Sequence, residues 1–241
     1  MEEYKQIIYR NYVKNHNSIL YGNISIERIR DNFKLNDFYY KELLPKGIDS
    51  KILDIGCGDG NFVYYLLEKG YKNTIGIDLS IEQIEKGLEI GINNIEVADI
   101  YDYLLNVEEE YDCIIARDIL EHFTKEELFK ILSLIHKSLK SGGKLISQIP
   151  NAQGIYYTSI YYGDITHETV FTCQSLNQLF LNTGFSGSII RPVNPYSKGL
   201  KGKVRSLLWI WKVFWTRFWK MVESGNKSGI FTSNIIAIAT K

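Results

Sequence analysis

The feature of this chain best suited to chemistry is an apolar segment that leads into a glycine-rich loop. Residues 51–60 read KILDIGCGDG, so Gly56, Gly58 and Gly60 follow a short apolar run that contains Asp54. Glycine has no Cβ and adopts positive φ without strain, which lets such a loop turn tightly and approach a ligand closely. The first amides of a following helix would face the same point. The segment therefore predicts a cofactor-binding loop.

Acidic residues close the next apolar runs along the chain. Asp78 ends TIGID, eighteen residues after Gly60, where a carboxylate in such folds accepts hydrogen bonds from ribose hydroxyls. Asp99 follows the next run, and Ala116-Arg117-Asp118 ends a fourth. Glycine and aspartate are also common in ordinary turns. Their order along the chain, rather than any one of them, indicates a nucleotide-like cofactor.

In this order the chain resembles the class I methyltransferases, which use S-adenosylmethionine, over about residues 45–190. The resemblance implies S-adenosyl-L-methionine as the methyl donor and S-adenosyl-L-homocysteine as its product. It also implies that Asp54 and the loop hold the methionine portion, that Asp78 binds the ribose, and that Asp99 meets the adenine. The cofactor-binding residues implied in this way are Asp54, Gly56, Cys57, Gly58, Gly60, Asp78, Leu79, Asp99, Ile100 and Arg117.

A nicotinamide dehydrogenase is the competing class of enzyme. Its usual loop, GxGxxG, places the third glycine three residues after the second. Here position 61 is Asn61, and the third glycine comes early, at Gly60. The loop therefore favours the methyl donor over a nicotinamide.

Two histidines are candidate catalytic residues on the acceptor side. His122 lies in ARDILEHF and His167 in GDITHETVFT, and an imidazole can accept a proton near neutral pH. Packing beside the cofactor is the alternative for His122. No metal site is predicted, because the spacing of Asp118, Glu121 and His122 matches no zinc signature. The candidate substrate-binding residues are Asp118, Tyr156, Tyr157, Tyr161 and Tyr162, although the tyrosines could instead pack against the N-terminal helices.

The region around His167 is similar to that of bacterial surface-polysaccharide and small-molecule O-methyltransferases. The similarity implies O-methylation of a hydroxyl on a sugar or glycan precursor. One alternative is methylation of a quinone-like or other lipophilic small molecule. Another is a non-catalytic scaffold subunit that binds the cofactor without turnover.

An aromatic and basic segment precedes the last apolar run. Residues 199–224 hold all four tryptophans, and six basic residues lie between Lys201 and Lys220 with no acid among them. The spacing of Leu207, Trp211 and Phe214 predicts an amphipathic helix. Such a helix suits an anionic membrane surface or a homodimer contact. Packing within the chain is the third alternative.

The elements that must position these residues alternate between short apolar runs and amphipathic segments. Strands are predicted at residues 51–55, 74–77, 94–97, 112–116, 143–149, 185–191 and 230–239, and helices at about 60–69, 81–90, 124–139 and 174–183. This alternation is typical of consecutive βα units. We therefore predict an α/β, Rossmann-like fold with a seven-stranded, mostly parallel sheet and helices on both faces.

The domain organisation follows from the same pattern. Residues 1–50, with helical spacing at Tyr4, Ile8 and Tyr12, are predicted to form an N-terminal helical cap. Residues 51–241 form the methyltransferase domain, with an acceptor-side insertion at 150–175 and the helical insertion at 199–224 before the last strand.

Composition excludes several classes of protein. The chain has 28 basic and 28 acidic residues, so no nucleic-acid partner is predicted. Three scattered cysteines indicate neither a disulfide scaffold nor a metal-binding pair. The N-terminal residues lack the pattern of a signal peptide. We therefore expect a reduced, cytoplasmic protein, with a peripheral position at the inner membrane surface as the alternative.

Overall fold

The apolar runs pair into one sheet in the computed structural model, which describes residues 24–241. The strands are β1 (Ile52–Ile55), β2 (Thr74–Asp78), β3 (Ile95–Val97), β4 (Tyr111–Arg117), β5 (Leu139–Pro150), β6 (Ser188–Pro192) and β7 (Asn234–Thr240). Their order in space is β3-β2-β1-β4-β5-β7-β6. β1 to β5 are mutually parallel, whereas β7 runs antiparallel between β5 and β6. The predicted seven-stranded, mostly parallel α/β fold is confirmed.

Helices cover the sheet and its edges. They are α1 (Ile26–Asp31), α2 (Phe33–Tyr40), α3 (Asn61–Glu68), α4 (Ile81–Glu89), α5 (Ile100–Leu104), α6 (Lys125–Ser138), α7 (Tyr157–Tyr161), α8 (Cys173–Asn182) and α9 (Gly199–Ser224). The short α5 was not predicted from the sequence.

Alternate residues of the central strands contribute their side chains to two separate hydrophobic cores. Leu53 of β1 and Ile114 of β4 belong to the core that α6 and α8 cover. Ile52 and Ile115 belong to the core that α2 and α3 cover. Neighbouring side chains of a strand point to opposite faces, so a parallel sheet covered on both faces needs nearly continuous apolar runs. This requirement explains why the strand signal in the sequence was strong.

Two predicted strand bounds were wrong for local reasons. β5 begins at Leu139 rather than at residue 143, because Leu139 pairs with Tyr111 before a register shift between the two strands. β6 begins at Ser188 rather than at residue 185, because its pairing with β7 starts with Ser188 opposite Ala239, whereas Phe185 packs in the core against Phe180 of α8.

The predicted start of the last strand was also wrong. β7 begins at Asn234 rather than at residue 230. The side-chain amide of Asn151 donates to the carbonyls of Ile230 and Thr232, each at 2.8 Å. Those carbonyls are therefore held by a side chain at the end of β5.

The first described helices pack against the start of the domain. Asp37 of α2 accepts a hydrogen bond from the Tyr65 hydroxyl of α3 at 2.9 Å and pairs with Lys69 at 2.7 Å. The Phe33 and Tyr65 rings meet edge to face, with centroids 5.3 Å apart. The helix predicted around Tyr4, Ile8 and Tyr12 lies outside the described residues.

The helix α9 lies largely on the surface. Of its 26 residues only Gly202 is buried, so packing into the core is not the role of its aromatic side chains. Trp211 and Trp219 are 64% and 63% exposed. The Lys212 ammonium donates to the Tyr156 hydroxyl and lies 4.1 Å from the centre of that ring. In the described part of the chain, no helix combines the length and apolar content required to cross a bilayer.

Candidate active site

The glycine loop lies at the carboxyl end of β1. Gly56, Gly58 and Gly60 adopt φ values of 67°, 59° and 79°, which residues with a Cβ rarely adopt. The amides of Gly56 and Cys57 donate to the Ile77 carbonyl at 2.8 and 3.0 Å, which holds the loop against β2. Because α3 begins directly after Gly60, its first amides face the loop.

Asp78, the last residue of β2, is joined to this loop. Its carboxylate accepts the amide of Gly58 through Oδ2 and the amide of Ser80 through Oδ1, both at 2.8 Å. A carboxylate offers about four acceptor positions, so two remain suited to ribose hydroxyls. Burial raises the pKa of Asp78, and the amides of Ser80, Gly58 and Leu79 oppose that shift.

Asp54 lies deeper, in the middle of the sheet, and is 2% exposed. Burial raises the pKa of its carboxyl to about 7, although nearby Arg117 favours the ionised form. The charge of Asp78 adds to the upward shift. The ammonium group of a methionine moiety would favour the ionised form, because opposite charges stabilise each other. The geometry is compatible with the expected place of Asp54 beside the methionine portion.

The raised pKa of Asp54 predicts a pH-dependent stability of the free protein. An unfolded aspartate titrates near pH 3.9, so between about pH 4 and 7 the folded state binds the extra proton. The stability that this proton provides is complete below about pH 4 and is lost as the pH rises through about 7. We expect Asp54→Asn to raise the free energy of unfolding by roughly 1 to 3 kcal/mol more at pH 8 than at pH 5.

Urea unfolding of the cofactor-free protein at the two pH values measures this difference. The matched control is Asp102→Asn, because Asp102 is an exposed acid on α5. An equal effect of Asp54→Asn at both pH values would contradict the raised pKa.

The predicted adenine-contacting residues surround the ends of β2 and β3. The Ala98 amide donates to the Asp78 carbonyl at 3.0 Å, which keeps these two ends together. The Asp99 carboxylate caps α5, accepting the amide of Tyr101 at 2.8 Å. Leu79 is 42% exposed and Ile100 is half-buried. The two apolar side chains therefore offer surface at the expected position, whereas Asp99 also has a capping role that was not predicted.

At the end of β4 the chain turns sharply. Asp118 has a φ of 52°, a strained value for a residue with a side chain, and such values cluster at functional sites. Gln148 of β5 donates to the Asp118 carboxylate at 2.8 Å and accepts the Tyr40 hydroxyl at 2.6 Å. The Arg117 guanidinium lies 4.3 Å from the centre of the Phe62 ring. Its Nε is buried and has no hydrogen-bond partner among residues 24–241, so it is available to a ligand.

His122 and His167 come together from two separate segments, with ring centroids 4.8 Å apart. The Nδ1 atom of His122 lies 2.8 Å from the Thr166 hydroxyl, which donates to Asp164 at 2.6 Å. Because that hydroxyl hydrogen is used on Asp164, its oxygen accepts the proton of His122 Nδ1. The Nδ1 atom of His167 donates to the Tyr161 carbonyl at 2.9 Å. In the neutral form of both rings, the lone pair is therefore on Nε2.

Glu121 is a residue of this site to which the sequence analysis gave no role. It is 1% exposed, and its Oε2 atom has no hydrogen-bond partner within the described residues. Burial raises the pKa of Glu121 well above its ordinary value. Ligand atoms of Glu121, His122 and His167 all lie within 4.8 Å of one another, so these residues could hold a metal ion. Two adjacent ionisable residues inside the otherwise apolar ILEHF were the available signal.

The predicted substrate-binding tyrosines occupy different surroundings. The Tyr161 ring lies 5.7 Å from the ring of His167, centre to centre. Tyr156 contacts Lys212 of α9. Tyr162 is 78% exposed, and Tyr157 begins α7. Tyr161 is thus placed beside the histidine pair, whereas Tyr156 links the acceptor-side insertion to α9.

The packing of α4 against the glycine loop gives a stability prediction. A Cβ on Gly87 would lie 2.5 Å from the Asp59 carbonyl oxygen and 2.4 Å from Ile95 Cδ1. Alanine normally stabilises a helix by about 1 kcal/mol over glycine, but overpacking costs about 1 to 3 kcal/mol. Since two contacts are too short, we expect Gly87→Ala to lower the free energy of unfolding by about 2 kcal/mol.

The matched control for that substitution is Gly47→Ala. A Cβ on Gly47 would meet only the Ser50 hydroxyl, at 3.5 Å. We expect a change within about 0.5 kcal/mol there. Urea unfolding measures both variants, and a Gly87→Ala protein as stable as the wild type would contradict the close packing.

Comparisons with known proteins agree with this architecture. A family model for a methyltransferase domain matches residues 28–187. The chain is 38% identical over 96 residues to O-methyltransferase 4 of Dictyostelium discoideum, covering 40% of this chain and 28% of that protein. It is 38% identical over 102 residues to phosphoethanolamine N-methyltransferase 1 of Zea mays, covering 40% and 20%. The chain thus spans less than a third of the length of either relative.

A solved structure extends the similarity over nearly the whole fold. The crystal structure of a SAM dependent methyltransferase from Archaeoglobus fulgidus superposes with a TM-score of 0.64 at 22% identity. The match covers 89% of this chain and 97% of that chain. The family model covers well over half of this chain, including the glycine loop and both histidines. The chain therefore belongs to the methyltransferase domain family, and the resemblance to class I methyltransferases is confirmed.

Proposed function

We propose that the chain transfers a methyl group from S-adenosylmethionine to a hydroxyl oxygen of a sugar or glycan precursor. The observation that carries the proposal is the adjacency of two sites. A Cβ on Gly56 would lie 2.9 Å from the side chain of Ile119, so the segment after β4 touches the glycine loop. The same segment continues into Glu121 and His122. The buried acceptor cluster is therefore next to the expected donor site.

The reaction defines what these residues must do. When bound, the cofactor supplies a sulfonium methyl group; the acceptor oxygen bonds to the methyl carbon as the carbon–sulfur electrons pass to sulfur. The chain must align the two atoms and exclude water. The hydroxyl must also lose its proton, and the cluster of Asp118, Glu121, His122 and His167 offers groups that accept a proton or make the hydroxyl more acidic.

The acceptor-side insertion supports a ring-shaped polar acceptor. The Tyr161 ring stands beside His167, and a tyrosine combines an apolar face with a polar tip, which suits stacking on a sugar. The carboxylates of Asp118 and Glu121 offer acceptors for further hydroxyl groups.

Methyl transfer from labelled S-adenosylmethionine to a panel of acceptors tests the proposal. The panel contains nucleotide sugars, lipid-linked sugars, hydroquinones and phosphoethanolamine. Label on a sugar hydroxyl is the expected result, whereas label only on a hydroquinone or an amine would contradict the acceptor class.

Calorimetric titration with S-adenosylhomocysteine separates the donor from the acceptor: no binding at high micromolar concentration would overturn the whole proposal. Binding without transfer to any acceptor would favour the scaffold alternative.

We also propose that α9 rests on an anionic membrane surface and presents a lipid-linked acceptor. Two observations support this position. The helix exposes Trp211 and Trp219 together with basic side chains, a combination that binds headgroups and lipid phosphates. Its Lys212 contacts Tyr156 of the acceptor-side insertion, so the helix borders the acceptor region.

Liposome co-sedimentation tests the position of α9. Replacing Lys201, Lys203 and Arg217 by glutamine is expected to weaken binding to phosphatidylserine-containing vesicles at least tenfold, because each surface cation contributes up to about 1 kcal/mol. Replacing Lys34, Lys72 and Lys130, exposed cations outside α9, is the matched control. Wild-type protein that stays in the supernatant, or a stable dimer that requires α9, would contradict the membrane position.

A further inference from the structure

We propose that Glu121, His122 and His167 bind a divalent transition-metal ion on the acceptor side of the active site. The inference rests on the proposed function, because it assigns the group that would activate the acceptor hydroxyl. It replaces the sequence-based expectation of no metal. That expectation considered ligands close together in the chain, whereas His167 comes from the separate acceptor-side insertion.

Both imidazoles make the kind of hydrogen bond that metal-ligating histidines usually make. A ligating histidine usually donates its other ring N–H to a carbonyl, a carboxylate or a similar acceptor, which fixes the ring and makes the ligating nitrogen more basic. His167 donates from Nδ1 to the Tyr161 carbonyl at 2.9 Å. His122 donates from Nδ1 to the Thr166 hydroxyl, which is itself bound to Asp164. Each ring therefore directs its lone pair from Nε2.

Glu121 gives a second observation that points to a metal ion, which two neighbouring histidines alone would not give. Its side chain is almost fully buried, and its Oε2 atom lacks a hydrogen-bond partner in residues 24–241. A buried carboxylate is ordinarily paired with a cation, hydrogen-bonded or bound to a metal, because its desolvation is costly. A metal ion between the two imidazoles would satisfy this oxygen.

The three ligand atoms are already close to a coordinating arrangement. They lie within 4.8 Å of one another. Neighbouring ligands of a tetrahedral ion with bonds of about 2.1 Å are about 3.4 Å apart, so side-chain rotations that bring the three ligand atoms closer would close the site. The Glu121 carbonyl accepts the amides of Glu168 and Thr169 at 2.8 and 3.1 Å, which anchors the segment after His167 to the turn that carries the other two ligands.

The donor set indicates the class of ion. Two imidazoles and one carboxylate suit Zn²⁺, Mn²⁺, Fe²⁺ or Co²⁺, whereas Mg²⁺ and Ca²⁺ prefer oxygen ligands. Three protein ligands leave positions open to an exchangeable oxygen. A hydroxyl bound there would be more acidic, and its proton could pass to a water molecule.

Cobalt titration of the metal-stripped full chain tests the site by its visible absorption. We expect about one Co²⁺ per chain, and Zn²⁺ should displace it. Glu121→Gln and His167→Gln should each weaken binding at least 100-fold, because each removes a ligand. Thr166→Val should weaken it about tenfold, because it removes only the support of His122.

The matched control is His136→Gln. His136 lies on α6 against Phe185, with ring centroids 5.1 Å apart, so its replacement should leave cobalt binding unchanged. A wild-type protein without the cobalt spectrum, or ligand variants that bind cobalt as the wild type does, would overturn the inference. Circular dichroism and S-adenosylhomocysteine affinity are measured on the same samples, so a loss of folding or of the donor site is distinguished from loss of the metal.

Discussion

Replacing His167 by alanine is expected to lower methyl transfer by about 100- to 1000-fold while S-adenosylhomocysteine affinity stays within about twofold. The reason is its position: the His167 ring contacts His122 and Tyr161, on the proposed acceptor side. The cofactor loop is held by other contacts, from the Ile77 carbonyl and Asp78. Single-turnover kinetics with saturating labelled donor, together with calorimetry, measure the two effects separately.

The control for this prediction is His136→Ala, which removes a half-buried histidine of α6 that packs against Phe185. It should preserve both turnover and affinity. If His167→Ala lost transfer and cofactor affinity in equal measure, the residue would have a role in folding or packing instead. The cobalt titration adds a second readout. If His167 is a metal ligand, the His167→Ala protein loses the ion; if His167 only accepts a proton, the variant still binds it.

The positions of the glycine loop and of Asp78 in the fold could be predicted because their signals are local. Gly56, Gly58 and Gly60 stand next to each other in the chain, and the positive φ that each adopts is a property of glycine itself. Asp78 ends a strand whose apolar run was visible in the sequence. Parallel pairing of β1 with β2 then brings the loop and the acid to one edge. Local pattern and topology together were enough to place these residues.

The proposed acceptor side depends on contacts between distant segments. Nothing in the sequence indicated that Thr166 would orient His122, or that the Tyr161 carbonyl would orient His167. The link from Tyr40 through Gln148 to Asp118 joins an N-terminal helix to β5 and the end of β4. Such pairs depend on side-chain packing in three dimensions, which hydrophobic periodicity does not encode.

Several unfavourable features meet in β1 and around the carboxyl end of β4. Asp118 has a strained backbone, and the Arg117 Nε and Glu121 Oε2 atoms are buried without partners in the described region. Asp54 has a pKa raised to about 7 by burial. Each feature costs stability, and each could be relieved by a bound cation, ligand or metal. Their concentration beside the glycine loop supports a site that is completed by what it binds.

Replacing Asp78 by alanine is expected to weaken S-adenosylhomocysteine binding at least 100-fold. Hydrogen bonds to a charged group contribute about 1.5 to 3 kcal/mol each, and 1.4 kcal/mol corresponds to a factor of ten in affinity. The variant would lose the expected ribose contacts. It would also lose the bonds that hold the Gly58 and Ser80 amides, so the loop itself would loosen. Two independent losses at one carboxylate explain the size of the effect.

Calorimetry of the purified variant measures that loss, and circular dichroism verifies that the sheet is intact. Asp102→Ala is the matched control, because it removes the same charge from an exposed position on α5. It should bind S-adenosylhomocysteine as the wild type does. An Asp78→Ala protein whose affinity stayed within about threefold of the wild type would mean that the Asp78 carboxylate contributes less than about 1 kcal/mol to binding, and that the ribose lies elsewhere. The loop would then have to bind the cofactor through its backbone amides and Asp54 alone.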